Sequence, residues 1–171
     1  AKGNEADIAA AVQAARQAFP AWARMAPADR ERIMLRAADQ LEAKRDLLAD
    51  IVVDESGSTL FKARHEVTYG ASLMRAAAGE ARRLYGETFP NDKPHRLSIV
   101  IREPVGVVAA ISPFNAPLVL LIKMVVFALA AGNSVIAKPS EETPLIAVEL
   151  AKLFTQAGMP SGVFNVITGY G

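Results

Sequence analysis

Two short stretches of the 171-residue chain carry side chains placed to do chemistry. Ser112-Pro113-Phe114-Asn115-Ala116-Pro117 sets an amide between two prolines, each of which fixes its own φ and biases the preceding residue toward extended backbone. An asparagine held rigidly there can aim its NH2 group at a developing oxyanion, and one such donor is worth about 3 kcal/mol of transition-state stabilisation. Asparagine is also a common turn residue, and spacing alone favours that plainer role. Lys138-Pro139-Ser140-Glu141 offers different chemistry. Its carboxylate can accept hydrogen bonds from both ribose hydroxyls of an adenosine, and its ammonium can bond the same sugar or a nearby phosphate. A charged, capped loop ahead of a helix is the competing reading, again the one composition alone favours. The sequence has no Gly-x-Gly-x-x-Gly and no Walker lysine motif, so any dinucleotide would bind without the usual glycine fingerprint.

The elements that must hold these loops follow from periodicity. Val105 to Ile111 reads as a buried strand that ends at the asparagine loop, followed by an apolar helix from about Leu118 to Ala131 that Gly132 and Asn133 end. Ser134 to Ala137 reads as a second strand, delivering the loop of residues 138–143 at its carboxyl end. Open α/β sheets bind ligands at that end. Pro144 to Gln156 returns to helix, with proline near its start, and Val163 to Ile167 is another strand. Strand, helix, strand, helix, strand in this order argues for parallel strands joined by crossover helices, an α/β nucleotide-binding sheet.

Before it, Ile8, Val12, Ala15 and Phe19 predict a helix that Pro20 stops. A second helix from Pro27 is expected to bury Ile33, Leu35, Ala37 and Leu41 while Arg30, Glu31, Arg36 and Glu42 stay solvated. A third runs through Leu47, Leu48, Ile51 and Val52 to a Gly57 cap, and a fourth covers about Lys62 to Arg83. Phe19 and Trp22 are expected to pack on this helical layer. A turn cluster from Pro90 to Pro94 precedes a strand at Leu97 to Arg102. The chain thus divides into a helical part, 1–83, a strand-bearing part, 84–103, and β/α units over 104–171, a sheet that looks unfinished where it stops.

Composition narrows the partners. Nineteen Lys and Arg against eighteen Asp and Glu leave a net +1, and the basic residues are scattered, which argues against a nucleic-acid binder. With no cysteine there is no disulfide, no thiolate nucleophile and no Cys-containing metal site in this chain. His65 and His95 lack a third ligand at metal spacing, so no metal site is expected. The apolar run 104–137 is broken by Pro113, Asn115, Pro117, Lys123, Gly132 and Asn133 into pieces shorter than the roughly 20 residues a bilayer needs. No secretory signal pattern is visible, and the expectation is a cytoplasmic protein with no membrane partner.

Glu103-Pro104-Val105-Gly106-Val107-Val108, the Pro113 to Pro117 loop, Ala130-Ala131-Gly132-Asn133, Lys138 to Pro144, Ala157 to Val166 and Gly169-Tyr170-Gly171 together resemble the aldehyde dehydrogenase superfamily. The likeness runs back through Ala18 to Trp22 and Arg30 to Leu41, in the family's order, and covers nearly the whole chain. It implies the amino-terminal part of a longer subunit: a partial aldehyde dehydrogenase fold with a helical layer, oligomerisation-arm strands and the start of the cofactor sheet. By that resemblance Asn115 matches the oxyanion-hole asparagine, and Lys138 and Glu141 match adenine-ribose contacts, with Ser140 in the same cofactor loop. Ile111, Ser112, Pro113 and Phe114 match the strand end beside the cofactor, and Gly171 a glycine near the adenosine. Leu97 to Arg102 would join subunits into homodimers or homotetramers.

Glu141 favours NAD, because a 2′-phosphate would meet a like charge; NADP stays open through Lys138. Met124 and Phe127 stand where many members have a lysine and a proline, with Lys123 one position early, which puts a proton relay in this helix in doubt.

The family reaction needs a thiolate to attack the aldehyde, donors for the oxyanion, hydride transfer to nicotinamide, and a glutamate-activated water to hydrolyse the thioester. Its cysteine and general-base glutamate lie beyond the point matching Gly171, so this chain alone is expected to be inert. Ala116, Leu118 and Leu120 suggest an apolar or aromatic aldehyde. An acylating or semialdehyde dehydrogenase, and a non-catalytic nucleotide-binding module, remain the alternatives.

Overall fold

A computed structural model describes residues 2–170. Helix α1, Glu5–Arg24, starts with a capping box: the Asn4 side chain accepts from Ala6 N and Asp7 N, and Asp7 accepts from Asn4 N. It does not stop at Pro20. Proline removes the bond to the Arg16 carbonyl, but both residues are exposed, so water can replace it. The turn beyond is anchored elsewhere: Trp22 is fully buried, and its indole N–H donates to the Leu129 carbonyl at 3.0 Å.

Helix α2, Pro27–Ala43, opens on proline as expected and buries Ile33, Met34, Ala37, Ala38 and Leu41. Leu35 is only half-buried. Arg30 is not solvated; it is 5% exposed. Its guanidinium donates to the carbonyls of Ala130, Trp22, Ala23 and Met25, taking up acceptors that two other helices leave free at their carboxyl ends. Burial pushes its pKa down from the ordinary value. Arg36 stays exposed, while its guanidinium donates to the Ala157 carbonyl at 2.6 and 2.9 Å.

Helix α3, Arg45–Ser56, ends at Gly57, whose φ of 65° is the left-handed cap the sequence implied. Helix α4, Leu60–Glu80, starts earlier than its periodicity suggested because Thr59 caps it, and stops before Arg83. Strands β1, Glu87–Phe89, and β2, Ser98–Val100, pair antiparallel. β1 has no counterpart in the periodicity, since three residues carry no resolvable alternation.

The second half alternates as expected: β3 Val107–Ile111, α5 Pro117–Ala130, β4 Ser134–Lys138, α6 Pro144–Gln156 and β5 Phe164–Val166. These strands form a parallel sheet in the order β3-β4-β5. Helix α1 packs on the sheet, α5 and α6 pack against it from the crossovers, and α2, α3 and α4 stack on α5 and α6. One apolar core joins the layers through Trp22, Leu41, Met74, Ile122, Val135 and Leu150.

Candidate functional site

The carboxyl ends of the parallel strands bring the two chemistry-bearing loops together. Ile111 lies in register with Lys138, and the next amide, Ser112 N–H, donates to the Lys138 carbonyl at 3.1 Å. Ser112 is buried, which fixes the root of the asparagine loop, whereas Ile111, Pro113, Phe114 and Asn115 all stand exposed beyond it. Phe114 is 56% exposed and Ile111 69%, large apolar surfaces on the open side of the site.

Asn115 is held through its backbone. Its carbonyl accepts from the Lys62 ammonium at 2.7 Å, and that ammonium also bonds Ser58 Oγ and Glu66 Oε1, each at 2.8 Å. The other Glu66 oxygen accepts from the amides of Leu118 and Val119, in the first turn of α5. The asparagine side chain therefore projects from a loop fixed on both sides, the geometry an amide donor needs if it is to meet a transient negative charge without reorganising.

In the second loop the Lys138 ammonium sits 4.0 Å from Glu141 Oε2 and 3.1 Å from the Pro139 carbonyl. The Ser140 hydroxyl accepts from Glu142 N–H within the loop. Glu141 is exposed beside a cavity of about 300 Å³ lined by Lys2, Glu141, Glu142, Pro144, Thr168, Gly169 and Tyr170. A second cavity of about 190 Å³ shares its Thr168 to Tyr170 wall and continues over Ala109, Ile111, Ile136 and Lys138. The two join an acidic mouth to an apolar floor along the strand ends, a shape that suits a ribose at one end and a flat ring system beyond it. Gly171 lies outside the described residues.

Several lining groups escape sequence reading. Gly3 and Ile8 reach the site because Gly3 N–H donates to the Thr168 carbonyl, bringing the start of the chain onto the end of β5, and the Lys2 ammonium lies 4.6 Å from the Tyr170 ring centroid. Nothing local announces that contact. Glu66 did leave a signal: it is a charged residue on the apolar stripe of Ala63, Val67, Gly70 and Met74. Among the described residues no group of three or more His, Asp or Glu side chains is placed to hold a metal ion, and no helix is long and apolar enough to cross a membrane.

The profile of the aldehyde dehydrogenase family matches residues 1–171. The chain belongs to the aldehyde dehydrogenase family. A Pseudomonas aeruginosa relative named glutarate-semialdehyde dehydrogenase is 39% identical over 98% of this chain and 35% of its own length. A Pseudomonas fluorescens phenylacetaldehyde dehydrogenase is 45% identical over 99% of this chain and 35% of its own. The crystal structure of PnpE in complex with nicotinamide adenine dinucleotide superposes with a TM-score of 0.97 at 40% identity, covering all of this chain and 35% of that one. The chain thus spans about a third of the aldehyde dehydrogenases it matches.

On α5, Lys123, Met124 and Phe127 all lie on the exposed face, and Met124 and Phe127 carry nothing that titrates. Lys123 Nζ stands 5.4 Å from the Tyr69 ring centroid, a cation on an otherwise apolar stripe that starts at the asparagine loop.

Proposed function

We propose that this chain forms part of a longer enzyme that oxidises an aldehyde to a carboxylic acid with NAD or NADP. The observation that carries the reading is the tie between Ser112 and Lys138, which sets Asn115 and Glu141 at adjacent ends of parallel strands. Asn115 donates its side-chain N–H to the oxyanion formed when a nucleophile adds to the aldehyde. Glu141 accepts from the adenosine ribose hydroxyls, Lys138 bonds the same sugar, and Ile111, Ser112, Pro113 and Phe114 line the cofactor's path, with Ser140 shaping the turn that aims Glu141.

The residues present fit such a cofactor: a carboxylate and an ammonium stand at the mouth, and small or apolar groups, Ala109, Gly169 and Ile136, line the floor. When bound, the dinucleotide supplies the hydride acceptor. Glu141 favours NAD by repelling a 2′-phosphate, a preference that Lys138 tempers. The exposed apolar side chains of the β1–β2 ribbon, Phe89, Leu97, Ile99 and Ile101, support its use as an arm between copies of the chain. The scattered charge fits an enzyme without a nucleic-acid partner.

The apolar surfaces of Phe114, Leu120 and Met124 support an aromatic or apolar aldehyde. Lys123 supports a second reading, an acidic semialdehyde. It lies six residues into α5 from Pro117, about 9 Å along the helix, and lysine side chains lean back toward the helix start. Kinetics of the full-length enzyme test both. Asn115→Ala should lower kcat by roughly 10²–10³-fold, and an unchanged kcat would refute the oxyanion role. Comparing benzaldehyde with succinic semialdehyde decides the substrate: a Lys123→Met loss confined to the acidic one supports the second reading.

A further inference from the structure

Both loops of the site run into a helix that starts with proline and has no cap of its own. Helix α5 begins at Pro117 after Ala116, and α6 at Pro144 after Thr143; neither N-cap side chain bonds the first turn. Proline removes one donor at each start, and the next two amides still need acceptors. In both cases one carboxylate from the helical layer takes them. Glu66 of α4 accepts from Leu118 and Val119 at 3.2 and 3.3 Å. Glu55 of α3 accepts from Leu145 and Ile146 at 2.6 and 2.9 Å. The same device, built from different helices, fixes the exit of each loop.

The Glu66 arrangement extends further. Glu66 is 2% exposed, and a carboxylate so buried is stable only when both its oxygens are paired. One oxygen holds the two amides and the other holds Lys62, whose ammonium bridges to the Asn115 carbonyl at 2.7 Å. Asn115 is therefore restrained directly at its own backbone and again through the residues that follow it.

We infer that Glu66 and Lys62 are positioning residues for Asn115 and that Glu55 positions the Lys138–Glu141 loop. Through them the helical layer, without touching the aldehyde or the dinucleotide, sets turnover at one loop and cofactor affinity at the other. This rests on the roles proposed above for Asn115 and Glu141.

The test is steady-state kinetics and backbone amide exchange on the full-length enzyme. Glu66→Gln keeps the shape but turns an amide NH2 toward Lys62 or toward the helix; it should lower kcat at least tenfold with KM for the dinucleotide within twofold, and Glu66→Asp should recover part of the loss. In an Asn115→Ala background the same change should cost less than twofold, because the group being aimed is gone. Glu55→Gln should raise the dinucleotide KM at least threefold with kcat within twofold. Equal loss from Glu66→Gln in both backgrounds, or parallel effects of the Glu55 and Glu66 changes on kcat and KM, would overturn the inference.

Should Glu66→Gln fail to fold, Lys62→Met carries the same expectation: it lowers stability by taking one partner from Glu66, but the Lys62 side chain is 42% exposed, so water can reach the freed oxygen. If Asn115→Ala leaves kcat untouched, the proposed function has failed. The clamp is then judged by exchange at Leu118 and Val119, which should quicken at least tenfold in Lys62→Met or Glu66→Gln; unchanged rates refute it.

Discussion

Changing Gly70 to alanine should reverse its effect on stability according to what stands at position 122. Gly70 is buried in the middle of α4, where α5 comes close; a Cβ there would lie 2.6 Å from Ile122 Cδ1 and 3.5 Å from Leu41 Cδ2. Carbon atoms sit comfortably at about 3.5–4.0 Å, so the first contact is short by about 1 Å. Alanine gains about 1 kcal/mol over glycine inside a helix, whereas overpacking a core costs about 1–3 kcal/mol. Gly70→Ala alone should therefore destabilise by roughly 0–2 kcal/mol. Ile122→Val removes the clashing methyl and by itself costs about 0.5–1.5 kcal/mol. In that background the new methyl fills the gap it left, and Gly70→Ala should stabilise by about 1 kcal/mol.

Urea midpoints and m-values of the four chains measure this as a coupling of about 1–3 kcal/mol. Equal effects of Gly70→Ala in both backgrounds, within about 0.5 kcal/mol, would refute the close approach of the two helices. Glu66 lies one turn before Gly70 on the same face, so the same double change should also restore any turnover that Gly70→Ala costs the full-length enzyme.

Three further outcomes are expected. Arg30→Met should destabilise the chain by about 2–4 kcal/mol in urea, because it leaves the Met25 and Ala130 carbonyls without donors; relief of the guanidinium's burial offsets part of the loss, and an effect below about 1 kcal/mol would show that water replaces it. Glu141→Gln in the full-length enzyme should shift the ratio of kcat/KM for NADP over NAD upward by about tenfold, one unit charge at a 2′-phosphate being worth about 1 kcal/mol or more; an unchanged ratio would remove Glu141 from cofactor choice. The 171-residue chain alone, which contains no cysteine, should oxidise no aldehyde in an NAD-linked absorbance assay, and turnover above background would show a different nucleophile.

The β/α half was readable because its elements are short apolar runs between glycine and proline, and because α5 and α6 each open on a proline where the backbone tolerates it. Their ends came out within a residue or two. The helical half was readable in its periodicity but not in its exceptions. Pro20 breaks a helix considered alone, yet Trp22 and its bond to Leu129 hold the last turn from across the fold. Arg30 looked solvated because charge usually is; the acceptors that draw it inward are carbonyls at two helix ends, that of α1 just before it and that of α5 far along the chain. The site split in the same way. Asn115, Lys138 and Glu141 sit in short motifs with local meaning, whereas Glu55, Lys62 and Glu66 act on loops some 50 to 90 residues away. In both Arg30 and Glu66 the legible hint was a charge on an apolar stripe, which only a buried partner reconciles.

The bond from Trp22 to Leu129 spans 107 residues, and it also sets a schedule for the growing polypeptide. Helix α1 leaves the ribosome before the strands it docks on. At about 5–20 residues per second it waits roughly 5–20 s with Ala15 and Trp22 uncovered. During translation this first helix is therefore a standing target for chaperones, and codons that slow elongation between α4 and β4 would lengthen its exposure more than slow codons anywhere after β5.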